Sequence, residues 1–164
     1  MNRPIVEPSG DDNIYLARTK HFLIEKLDPN GNYIRAFYYP VKRKKFSPQD
    51  AIQATEEKYV EYVSEWRVSV IKNADEENIP DKWPALNTML IDDKNRIWAS
   101  LIVNNEEVYQ WWVLENSGKL IVRFTWPRSR SIEVVKDGYL YAKKTDEETG
   151  LAKVVRYRID MQSN

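Results

Sequence analysis

Aspartates recur where the chain turns: Asp11 and Asp12, then Asp92 and Asp93, then Asp137. Carboxylates brought together from several loops can hold a hard divalent cation, so Asp92, Asp93 and Asp137 are the candidate metal ligands. Their equivalent placement also suits a plainer role, because a short acid in a turn accepts hydrogen bonds from its own backbone. The adjacent pairs Glu76-Glu77, Glu106-Glu107 and Glu147-Glu148 lie in loops, where sequence neighbours have no fixed geometry, and read as solvated.

Arginines form the second set. Arg18, Arg35, Arg123, Arg128, Arg130, Arg156 and Arg158 lie in or just after segments that read as strands. A planar guanidinium beside an aromatic ring suits a carboxylate, a sugar acid or a peptide. Trp126, Arg128 and Arg130, around Pro127, are therefore candidate ligand-binding residues. Trp83, in Lys82-Trp83-Pro84, joins them as a candidate contact or as a plug against a helix. Pairing with glutamates on neighbouring strands is the competing use of these arginines.

Other chemistries lack their residues. The chain has no cysteine, which removes thiolate nucleophiles, disulfides and Cys–metal sites and fits either redox compartment. The one histidine, His21, has no visible constellation of catalytic partners. No catalytic residue and no cofactor is assigned. With 25 basic and 25 acidic residues the formal net charge is zero, so the electrostatic case for nucleic acid is missing. The Lys42-Arg43-Lys44-Lys45 run reads as a solvated loop. No window is apolar enough to span a membrane, and Pro4, Glu7 and Pro8 interrupt what would be a secretory signal core.

The elements that must position these residues are mostly strands. The 164 residues suit one domain, and 6 Trp, 10 Tyr and 4 Phe supply a core. Alternation predicts strands over 13–18, 21–27, 33–39, 89–91, 96–101, 108–114, 119–126, 132–135, 139–142 and 153–159. Turn residues separate them at Asp28-Pro29-Asn30-Gly31, Asp92 to Asn95, Glu115 to Gly118 and Lys136-Asp137-Gly138. Ser47-Pro48 starts a helix over 47–73, with Ser47 as cap and Pro48 in the first helical position. Its apolar stripe is Ile52, Tyr59, Val63, Trp66 and Val70.

The pattern repeats. Ile91-Asp92-Asp93-Lys94-Asn95-Arg96-Ile97-Trp98-Ala99 matches Val135 to Ala142 and Pro8 to Ala17: a turn, an apolar–aromatic pair, then alanine. Units of about 40 residues with three or four short strands are blade-like, and they bury their faces by stacking. Blade-like units are placed at 4–40, 86–126 and 131–160, with a helical insertion at 47–75. The last unit lacks the outer strand of the others. Trp98, Tyr109, Trp111, Tyr139, Tyr141 and Tyr157 are expected between blades, with Trp111 and Trp112 on opposite faces. The expected fold class is all-β, a partial β-propeller of about three blades with one inserted helix.

Leu90 to Trp98, Lys136 to Tyr141, Val154 to Ile159 and Ile24 to Arg35 together resemble the bacterial six-bladed β-propeller proteins of the NHL-like group. The resemblance covers most of the chain and implies the C-terminal part of such a propeller. It implies a periplasmic or envelope location for full-length relatives. Metal-dependent lactonase chemistry on such folds would need acids converging from several blades. Three units make half a ring, so the expected partner is a second copy completing six blades or a separately encoded N-terminal half. Met1 to Val6 would complete the last blade in such a closure. The leading expectation is a non-catalytic binding or interaction module. The alternatives are a metal-assisted hydrolase or lyase in a propeller channel, and a structural fragment.

Overall fold

The computed structural model describes residues 3–49, 52, 65, 68–70, 72–73, 80–146 and 149–160. The chain divides into two compact units, Met1–Lys42 with Pro84–Asn164, and Arg43–Trp83.

The first unit is a partial β-propeller of three antiparallel sheets. β1 (Pro4–Pro8), β2 (Ile14–Arg18), β3 (Phe22–Leu27) and β4 (Tyr33–Tyr39) form one sheet in sequence order. β5 (Leu86–Ile91), β6 (Ile97–Ile102), β7 (Val108–Leu114) and β8 (Leu120–Pro127) form the next. β9 (Arg130–Lys136), β10 (Tyr139–Thr145) and β11 (Ala152–Arg158) form the third. The leading strands β1, β5 and β9 neighbour one another from sheet to sheet.

The side-chain period of two decides how the middle sheet is used. Ile97, Ala99, Leu101, Trp112 and Leu114 share a core with Tyr15, Ala17, Phe22, Ile24 and Phe37 of the first sheet. The intervening Trp98, Trp111 and Val113 share a second core with Ile132, Val135, Leu140 and Ala142 of the third. The middle sheet is therefore covered on both faces, and Trp111 and Trp112 do point opposite ways.

Four hairpins use one turn. Ser9 to Asn13, Asp28 to Asn32, Asp92 to Arg96 and Glu115 to Lys119 each close with the same two backbone bonds, and the fourth residue has positive φ. That residue is Asp12, Gly31, Asn95 or Gly118, types that tolerate the left-handed region best. Asp137-Gly138 makes the two-residue version, with positive φ at both positions.

Several expectations change. Pro4–Pro8 pairs with β2, so residues 4–6 belong to the first sheet rather than to the last. The Ser9 to Asn13 hairpin holds them there. Tyr139 and Tyr141 alternate with the buried Leu140 and Ala142, which puts them on the third sheet's other face, half-exposed. β8 runs through Pro127, which pairs with Val108. An edge strand tolerates a residue with no N–H to donate.

In the second unit, Pro48, Gln49, Ile52, Glu65, residues 68–70 and Lys72 are helical. Tyr59, Val63 and Trp66 of the expected stripe lie outside the described residues. Val70 is 53% exposed whereas Val68 is 7% exposed. Periodicity fixes the spacing of a stripe, not which stripe is covered. Among the described residues, no helix is long and apolar enough to cross a membrane.

Candidate functional site

The turn aspartates are held by their own chain. Asp92 is buried; its Oδ1 accepts the N–H groups of Lys94 and Arg96 at 3.0 and 2.8 Å. Its Oδ2 accepts Arg96 Nε at 2.7 Å and the Trp98 indole N–H at 2.8 Å. These donors come from the hairpin that Asp92 opens, so the carboxylate organises the turn and orients Trp98. Asp28 does the same in the first sheet, accepting from Asn30 and Asn32; the Asn32 bonds hold its pKa below the usual carboxylate value. Asp93 Oδ2 accepts the backbone N–H of Asp137 at 2.8 Å, which ties two sheets together. Among the described residues, no three His, Asp or Glu side chains converge as a metal-holding group.

Trp126, Arg128 and Arg130 are brought together where β7 and β8 meet the third sheet. The Trp126 indole N–H donates to the Arg130 carbonyl at 2.6 Å, and its ring meets Tyr157 edge-on at 5.0 Å. Arg130 Nη1 donates to the Tyr157 hydroxyl at 3.1 Å. Arg128 Nε donates to the Val108 carbonyl at 3.1 Å, and its guanidinium lies 4.6 Å from the Tyr109 ring centroid. Burial pushes the Tyr109 hydroxyl pKa up, partly offset by the Arg128 charge. Arg128 Nη2 is buried with no hydrogen-bond partner. This cluster joins strand ends, and most of its polar atoms are already engaged.

Trp83 belongs to the second unit. Its ring packs on Phe46 at 5.0 Å, and Arg43 donates to the carbonyls of Trp83 and Lys82, both at 3.0 Å. Its indole N–H is buried without a partner.

The arginines split between the two uses expected of them. Arg18 pairs with Glu25 at 3.1 Å. Arg123, Arg128 and Arg156 instead lie over Trp112, Tyr109 and Tyr139.

A recess in the first unit lies elsewhere. Tyr39, Val41, Lys42, Leu101, Gln110, Trp112 and Arg123 line a cleft of about 450 Å³ at the seam of the first and second sheets. Two of its lining rings, Tyr39 and Trp112, cluster with the buried Phe22, with ring centroids 5.1 to 5.3 Å apart. The Tyr39 hydroxyl donates to the Gly118 carbonyl, and burial raises its pKa against the nearby Arg123 charge. Arg123 lies over the Trp112 ring at 3.8 Å. Sequence reasoning named Arg123 and Trp112 separately. Their meeting needed the β7–β8 register, which pairs them across the strands.

No protein-family model matches the chain, and no curated protein matches it.

Proposed function

We propose that this chain is a non-catalytic, propeller-type interaction module that completes a six-bladed ring with a second copy of itself. The observation that carries the reading is the pair of sheet faces left without a neighbouring sheet among the described residues. Val6, Leu16, Leu23 and Tyr38 share the first sheet's outward face, with Val6 58% and Tyr38 61% exposed. The third sheet's outward face carries Val134, Tyr139, Tyr141 and Val154, with Lys143, Arg156 and Arg158 among them. Exposed apolar surface of this kind favours assembly.

The two faces differ in charge. Cations crowd the third sheet's face, so two copies of that face repel each other. The first sheet's face is mainly apolar, and its Arg18 is neutralised by Glu25. Unlike faces therefore match, and a twofold axis brings each first sheet against the partner's third. The resemblance to NHL-like propellers supports a ring of six. Val154 is 74% exposed on that face, on the edge strand β11. A Val154→Asp variant should halve the mass measured by light scattering while keeping the wild-type circular dichroism. An unchanged mass would count against the arrangement.

A further inference from the structure

We propose that the cleft between the first two sheets is a binding site for a small apolar carboxylic acid, one whose anionic head meets Arg123 and whose hydrocarbon body lies on Tyr39, Val41 and Leu101. The cleft lies within one chain, at a seam that both sheets already share. It does not depend on the free faces or on a second copy.

Three features of the donor set point to an anion. The Arg123 side chain makes no hydrogen bond or ion pair among the described residues; its guanidinium carbon lies over the Trp112 ring, 3.8 Å from the centroid. A cation–π contact consumes none of the five guanidinium N–H donors as hydrogen bonds to protein oxygens, so they remain for a carboxylate. Gln110 is the second donor. Its Oε1 accepts the Trp112 indole N–H at 3.0 Å. An indole N–H can only donate, so this bond fixes the amide with its NH2 turned away from Trp112. Lys42 adds a second exposed positive charge at the rim, and no Asp or Glu lines the cleft.

The rest of the lining decides the ligand's body. Ala85, Leu101, Ile102, Val103 and Val41 are apolar, and Trp112 is only 6% exposed beneath Arg123. The volume, about 450 Å³, falls in the range of small-molecule sites. A bare inorganic anion would leave this wall unused. A hydrocarbon without charge would leave the cations unanswered.

The test uses the intact chain and phenylacetate, with phenylacetamide as its neutral counterpart and inorganic phosphate as the bare anion. Binding is followed by shifts of the Trp112 indole and Gln110 amide resonances. Phenylacetate should bind about tenfold more tightly than phenylacetamide, the scale of one charge-assisted bond. Arg123→Gln should abolish that preference, and Lys42→Gln should weaken it, with melting temperatures near wild type because both side chains are exposed. The proposal is overturned if acid and amide bind equally, if Arg123→Gln leaves the preference intact, if phosphate binds as tightly as phenylacetate, or if phenylacetate gives no saturable shift at those two residues.

Discussion

Asp93 of the second sheet accepts the backbone N–H of Asp137 in the third sheet at 2.8 Å, and Asn95 of the same turn accepts the N–H of Gly10 in the first at 2.9 Å. One hairpin thus bonds to its equivalent on each side. Repetition in phase is what makes this possible. If the turn recurs at the same height in each stacked sheet, the same polar side chains meet the next turn's backbone. Asn95→Gly keeps the positive φ of 56° but removes the bond to Gly10. Asp93→Ala removes the bond to Asp137. Each should cost about 1 kcal/mol in urea unfolding, and the costs should add, since the two bonds lie on opposite sides of the turn.

Gly31 and Gly118 occupy equivalent turns with φ of 84° and 92°. A side chain at Gly31 meets open space, whereas a Cβ at Gly118 would strike the Phe37 ring. Gly31→Ala should therefore cost only the backbone term, roughly 1–2 kcal/mol. Gly118→Ala adds displacement of a buried aromatic ring, an overpacking cost of roughly 1–3 kcal/mol more. Paired denaturation curves measure the difference, and equal losses would show that Phe37 moves freely.

Trp111 and Trp112 are adjacent and buried, yet they serve different cores. Truncating either to alanine should cost about 3–5 kcal/mol. The loosening should fall on different sheets. Amide exchange should speed up in β9–β11 for Trp111→Ala and in β2–β4 for Trp112→Ala. Identical exchange maps would mean that the tryptophans share one core.

Burial raises the Glu7 pKa above its ordinary value of 4.5. The folded chain then keeps that proton to higher pH than the unfolded chain does. This contribution to stability is present below the ordinary value and is lost as pH rises through the raised one. Glu7→Gln should thus be more stable than wild type at neutral pH, by a small margin because the group is only half-buried. The two curves should converge below about pH 4. A gap that widens on acidification would reverse the sign.

Strand order was legible because local signals agreed. Tyr33–Tyr39 and Val108–Leu114 are bounded by turn residues and match their expected limits. β5 starts at Leu86, three residues before the expected Met89, because a register shift between Leu86 and Thr88 breaks the alternation. The faces of Tyr139 and Tyr141 were less legible. Aromatic identity suggested burial, but the pleat places them opposite Leu140. The cleft was legible only as parts, since Tyr39 and Arg123 lie far apart in sequence and share a wall through sheet stacking. Asp92 read more readily as a turn residue than as a metal ligand, because the same acid recurs at equivalent turns. The Arg96 and Trp98 donors that occupy it become visible only when the hairpin is closed.

Sedimentation equilibrium of the wild-type chain, across a concentration series, tests the paired half-ring most directly. The paired half-ring predicts a species of twice 19.4 kDa that dissociates only on dilution. A single 19.4 kDa species that persists at high concentration would contradict it.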